Sequence, residues 1–295
     1  MNTLYIIGNG FDLAHEIPTC YRDFFNWLSC SNFDGAKDFI NSIHGLTKDV
    51  DLWRNFEEAL GKIDLPQYID TLLEEYAETQ NPEDWTAQSD SVFAGIKYNI
   101  EEQYKELLVA FSQWARSIET DGYDKFYEDL NSAENYFFTF NYTNTLEQVY
   151  SIPKNRILHI HGDAKDENNA IIVGHNHDYQ IDRDDVLTIL EAKLPADSGE
   201  SGDLLLNSLN ISFKQTKKNI SAHIGYFNYL ATLGIEKIIV LGHSYGNVDM
   251  PYFAKIKEVC PKAQWKCSCH TENDKQAAEI LIKQLSLPAT INPRI

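Results

Sequence analysis

"LYIIGNGFDLAHEIP" (residues 4–18) begins with an apolar run, Leu4 to Ile7, that stops on Gly8, takes one residue, Asn9, and meets Gly10. If the run is a strand and the residues after it start a helix, two positions without Cβ fall where free backbone N–H groups can face an anion. The pattern leaves a phosphate loop and a plain tight turn both open. A dinucleotide-binding fingerprint has a third glycine near position 13, where this chain has Leu13.

Outward from this turn, similar short runs recur at "YFFTF" (136–140), "RILHIHG" (156–162), "AIIVGH" (170–175), "KIIVLGH" (237–243) and "QWKCSCH" (264–270). Several are continuously apolar, as strands covered on both faces are. Helical patterns alternate with them. The clearest puts Tyr104, Leu107, Leu108, Phe111, Trp114, Ala115 and Ile118 on one stripe, a second covers about 203–230, and "NDKQAAEILIKQL" (273–285) reads as a last helix. The alternation predicts an α/β fold, a Rossmann-like, mostly parallel sheet flanked by helices. Residues about 19–131 form a large helical insertion after the first strand; about 181–233 form a smaller one, with "PADSGESGD" (195–203) as a polar loop. Ligands of such sheets bind at the carboxyl ends of the strands, where the glycines, Asn and His of these runs fall.

The 25 Lys and Arg against 44 Asp and Glu give a formal charge of −19, which repels nucleic-acid backbones and anionic membranes. A small anionic nucleotide is still compatible, because backbone N–H groups act locally. With no charged segment before the first apolar run and no long apolar stretch, a soluble, cytoplasmic protein is expected. The five cysteines are odd in number and widely separated, unlike a disulfide framework. "CPKAQWKCSCH" (260–270) alternates as a buried strand with inert thiols would, rather than forming C-x2-C zinc turns.

Four constellations carry candidate chemistry. Asn141 ends the strand in "FFTFNYTNTLE" (137–147), with Thr143 as a candidate helix N-cap. His161 and Gly162 end the strand in "ILHIHGDA" (157–164), where His161 could act as a base. His175 and His177 bring four histidines within 19 residues, beside Asp163 and Asp178, which raises a metal-dependent hydrolase. No H-E-x-x-H helix completes such a site, so no metal is expected. "LGHSYGNVD" (241–249) contains the G-x-S-x-G of a nucleophile elbow, yet only 51 residues follow Ser244, too few for the acid and histidine that a serine hydrolase needs downstream. Gly242, Ser244 and Asp249 are then another ligand-facing loop at a strand end.

Taken in order, "GNGFDLAHEIP", "TFNYTNTLE", "HIHG" and "LGHSYGNVD" resemble the sirtuin-like NAD-binding fold, whose members carry G-A-G-x-S with a following G-I-P, then T-x-N-x-D, H-G and G-x-S. "LYIIGNGFDLAHEIPTCYRDF", "WRNFEEAL" (53–60), "FFTFNYTNTLE" and "LGHSYGNVDMPYF" resemble the AbiH family of phage abortive-infection proteins more closely. These resemblances imply one sirtuin-like domain over 1–295, a role in phage defence, and cleavage of the nicotinamide–ribose bond of NAD or a related nucleotide, used as substrate and not as a recycled cofactor. By motif, Asn141 and His161 become the catalytic pair. Gly8, Asn9, Gly10, Gly242 and Ser244 face phosphate and ribose. Asp12 contacts a ribose hydroxyl or closes a structural hydrogen bond, and Asp249 joins the ligand loop. The departures are Asn9 for Ala, Asp12 for Ser and Thr143 for the Asp of T-x-N-x-D; the zinc ribbon of deacetylating sirtuins is missing. A non-catalytic nucleotide sensor is the alternative. The expected partners are a small nucleotide and a phage-derived trigger, with a homo-oligomer compatible and neither nucleic acid nor membrane expected.

Overall fold

The computed structural model describes residues 1–47, 56–77, 89–193 and 198–293. Residues 53–55 of "WRNFEEAL" and 195–197 of the expected polar loop lie outside them. Among the described residues there are six strands: β1 (Thr3–Ile7), β2 (Asn135–Thr139), β3 (Ile157–His159), β4 (Lys237–Leu241), β5 (Gln264–Cys269) and β6 (Ala289–Pro293). They form a single parallel sheet in the order β3-β2-β1-β4-β5-β6. This is the doubly wound Rossmann order, and it reverses direction between β1 and β4. β1, the central strand, pairs Thr3 with Asn135 on one side and with Lys237 on the other.

The helices are α1 (Asn9–Ala14), α2 (Tyr21–Ser29), α3 (Asp34–Ile43), α4 (Phe56–Leu60), α5 (Leu65–Ala77) and α6 (Ser89–Ser117) after β1, and α7 (Thr145–Gln148) after β2. Between β3 and β4 come α8 (Arg183–Lys193), α9 (Ser198–Leu209), α10 (Thr216–Ala222) and α11 (Ile224–Thr232). α12 (Met250–Val259) and α13 (Glu272–Leu285) connect the last strands. The large helical insertion after the first strand is therefore present. No helix among the described residues is long and apolar enough to cross a membrane.

The chain divides into two compact units: Met1–Asp23, Ser112–Ile172 and Gln215–Ile295 make the first, Phe24–Phe111 and Val173–Lys214 the second. In the first unit the period of two sorts the strands' side chains onto two covered faces. Leu4, Ile6, Phe138, Ile238 and Val240 pack with Phe227 and Leu230 of α11, Tyr252, Phe253 and Ile256 of α12, and Ala278 and Leu281 of α13. Ile7, Phe137, Ile239 and Leu241 pack on the opposite face with Phe11 of α1, Leu146 of α7, Val149 and Tyr150. Each such side chain stabilises the fold by roughly 1.5–3 kcal/mol when fully buried. A capping box starts α13: the Thr271 side chain accepts from Asp274 N–H while the Asp274 carboxylate accepts from Thr271 N–H.

The second unit is helical. Phe24 packs edge-on against Phe111 at 5.0 Å and Phe25 edge-on against Phe56 at 5.5 Å, while the Phe39 and Tyr104 rings are tilted at 5.6 Å. The buried Tyr179 hydroxyl donates to Leu60 O at 2.7 Å and accepts from Ile63 N–H at 3.2 Å.

Three sequence expectations need correction. "AIIVGH" is not a strand: the Ile172 N–H donates to His161 O, the Val173 carbonyl accepts from the Tyr104 hydroxyl, and Gly174 N–H donates to a Glu57 carboxylate oxygen. Individual partners satisfy this backbone, leaving no ladder beyond a single bridge, His175 to Phe213. Residues 198–203 are the first turns of α9 and not a loop. The helical pattern over 203–230 breaks into α9, a 3-10 turn (Asn210–Ser212), α10 and α11.

Candidate functional site

The glycine turn is closed by the chain itself. Gly8 N–H donates to Leu241 O at 2.9 Å and Gly10 N–H to Gly242 O at 2.7 Å, so the turns after β1 and β4 are laced together where the sheet order reverses. A Cβ on Gly8 would stand 2.6 Å from His243 Cα and one on Gly10 2.9 Å from Gly242 Cα. Gly242 itself has φ +65°, and a Cβ there would lie 2.1 Å from Phe11 N. All three positions therefore require glycine for backbone contact alone. Asn9 is exposed, and its side-chain amide donates to Thr19 O at 2.9 Å, tying α1 to the loop that follows it.

Asp12 is 1% exposed, on the α1 turn. The Thr143 hydroxyl donates to its Oδ2 at 2.5 Å, and Thr145 donates in turn to the Thr143 oxygen at 3.2 Å. Burial raises the Asp12 pKa, opposed by hydrogen bonding from Thr143, Thr145 and Asn141. Of the two readings for Asp12, the structure contains the structural hydrogen bond. Thr143 is thereby diverted from capping: Asn144 is the N-cap residue of α7. Asn141 follows the end of β2 and is buried, held by its N–H to the Thr139 hydroxyl at 3.0 Å. Neither polar atom of its side chain completes a hydrogen bond of good geometry among the described residues.

His161 lies just past β3, 3% exposed. The rings flanking Asn141 bracket it, Phe140 at 5.3 Å and Tyr142 at 6.2 Å, with Tyr252 edge-on at 5.6 Å. Its Nε2 is 3.6 Å from Asp249 Oδ1, and the other Asp249 oxygen is 3.3 Å from His243 Nε2. Tyr245 N–H donates to His243 Nδ1 at 2.8 Å, so a neutral His243 carries its proton on Nε2, facing Asp249. The carboxylate is thus set between two imidazoles at the ends of β3 and β4. Ser244, between the inward-facing His243 and Tyr245, is exposed.

The structure therefore brings Asp12 together with Asn141, His161 with Asp249, and Gly8 and Gly10 with Gly242. His243 is the residue that the sequence reading passed over. Its signal was its place at a strand end, next to the serine that drew attention instead.

The histidine run does not act as one group. In the second unit, His175 is buried with Nε2 3.3 Å from Leu209 O, His177 pairs with Asp182 at 2.6 Å, and Asp178 caps the 3-10 turn Tyr179–Asp182. In the first unit, His159 Nδ1 is 3.0 Å from Asn141 O and Nε2 is 3.1 Å from Glu147 Oε1. Burial disfavours the His159 cation, but the Glu147 hydrogen bond and charge, the Asn141 carbonyl and the Asp163 charge outweigh it and raise the pKa. Glu147, His159 and Asp163 each offer a ligand atom within 4.8 Å of the others. Cys267 of β5 and Cys260 at the end of α12 are buried thiols, pushed up to about 12 and about 11 by desolvation, as inert core cysteines are.

Residues 4–269 match the model of the family described as bacteriophage abortive infection AbiH. The chain belongs to that family. Membership ties it to phage abortive infection. No curated protein and no solved structure matches the chain.

Proposed function

We propose that this AbiH protein defends against phage by hydrolysing the nicotinamide–ribose bond of NAD or a related nucleotide at the carboxyl ends of β1 to β4. The observation that carries the reading is the buried Asp249 carboxylate facing both His161 and His243. An N-glycosidic bond breaks through an oxocarbenium-like state that demands a rigidly held ribose more than a strong nucleophile. Water adds to the anomeric carbon, nicotinamide leaves as a neutral molecule with the bonding electron pair, and His161 takes the proton. Asp249 steadies the resulting imidazolium, and the Asn141 amide orients the ribose or the water.

The sirtuin-like relationship is part of the same proposal. Two of this chain's departures from that pattern, Asp12 for Ser and Thr143 for Asp, fall on one hydrogen bond. The sirtuin-like pattern carries a hydroxyl and a carboxylate at the same two positions in the opposite order, which supports a shared layout.

Incubating the purified protein with NAD, with and without lysate of phage-infected cells, and following nicotinamide tests the reading. The parent releases nicotinamide. His161→Ala and Asp249→Asn lower the rate by roughly 10²-fold or more, and His161→Ala relieves toxicity in cells. Absence of release under every condition, or full toxicity in His161→Ala, refutes it.

The burial of Asn141 and His161, 6% and 3% exposed, favours a second reading, in which the crevice senses a nucleotide without turning it over and a phage-derived trigger opens it. Saturable NAD binding with no nicotinamide released would select that reading.

A further inference from the structure

We propose that Glu147, His159 and Asp163 form a site for one divalent cation at the end of β3. Glu147 belongs to α7, His159 is the last residue of β3, and Asp163 follows four residues on. Their ligand atoms lie within 4.8 Å of one another. The side chains of Glu147 and His159 are each 9% exposed and that of Asp163 7%, so the three groups meet inside the protein and not on a solvated acidic surface.

Two further observations point to an ion. Glu147 Oε2 is buried and has no hydrogen-bond partner among the described residues, an uncompensated position for a carboxylate oxygen. The His159 ring is also oriented as metal-bound imidazoles are: Nδ1 faces the backbone carbonyl of Asn141 at 3.0 Å, leaving Nε2 toward Glu147. An ion seated there takes the place of the proton shared by Nε2 and Glu147 Oε1. The Asp163 oxygens accept from Lys165 N–H at 2.9 Å and from Lys154 Nζ at 3.3 Å. The Lys154 side chain is 73% exposed, so it can swing into water at little cost.

One imidazole and two carboxylates suit Mn2+, Fe2+ or Zn2+ better than the all-oxygen shells that Mg2+ and Ca2+ prefer. Three protein ligands leave coordination positions open to water or to a phosphate oxygen. Binding of the ion is measured without substrate, so this test stands or falls apart from the proposed nucleotide cleavage.

The test is calorimetric titration of the untagged full chain, stripped with EDTA and dialysed, with MnCl2 and separately ZnCl2. At least one of the two ions should bind at one per chain. Glu147→Gln and His159→Gln, each checked for native circular dichroism, should weaken that binding by about 100-fold. Failure of the parent to bind either ion, or a folded variant that binds as the parent does, overturns the proposal. Should His159→Gln not fold, Glu147→Gln alone decides, because the amide keeps the shape of the carboxylate and removes only its charge.

Discussion

A carboxylate between two imidazoles acquires a direction once one ring is locked. Tyr245 N–H locks His243, so its Nε2 faces one Asp249 oxygen at 3.3 Å while the other lies 3.6 Å from His161 Nε2. Little of this was legible beforehand, because the motif "LGHSYG" advertises its serine while the turn sends Ser244 outward and His243 inward. Tyr245 at φ +58° contributes to that turn, a conformation that composition does not announce. Asn141 and His161 were legible, since each sits where an apolar run ends. His175 gives this scale its prediction. Burial pushes its pKa from 6.5 to about 4, so below 6.5 the unfolded chain takes up a proton that the folded chain refuses. Stability from this group is complete above about 6.5 and falls as the pH drops toward about 4, by about 3 kcal/mol in all. Urea unfolding at several pH values should show the parent losing this stability while His175→Leu shows a flatter profile.

Among the elements, β1 to β4 were readable from their apolar runs, β5 from the alternation of buried Trp265, Cys267 and Cys269 with exposed Gln264 and Lys266, and the stripe on α6 because one face of a helix must be apolar. β6 escaped: "ATINP" is a polar edge strand that pairs only with β5, so burial sets no pattern on it. "AIIVGH" misled for the converse reason, since its apolar side chains are used by a connecting segment. The glycine turns join β1 to β4 through backbone alone. Gly242→Ala meets both a left-handed φ and Phe11 N at 2.1 Å, so it should cost at least about 2 kcal/mol. Thermal unfolding with no ligand present should reveal this, whereas a loss seen only in nucleotide binding would assign the glycine to the ligand.

At the scale of the whole molecule, the sequence located the long helical insertion but not the two-unit division, because periodicity shows which residues are buried and not which cluster buries them. α10 and α11, read with the smaller insertion, belong with the sheet, where Phe227 and Leu230 cover one face. The second unit contains its own buried charge pair: the Lys214 side chain is fully buried with Nζ 2.7 Å from Glu57 Oε1. Glu57→Gln removes a carboxylate charge from beside the buried ammonium and should destabilise the protein by up to about 3–5 kcal/mol. Guanidinium titration checks the figure, and the double variant with Lys214→Met should recover much of the loss.

The position of β1 also governs when the protein can assemble. Its two sheet neighbours begin at Asn135 and Lys237, so the second edge of the central strand stays uncovered until Lys237 and the residues after it have been synthesised. The switch-point turn cannot close until Gly242 has emerged. The nucleotide cleavage proposed there would be withheld from nascent and truncated chains by topology alone, because the strands that build the crevice pair across long sequence separations.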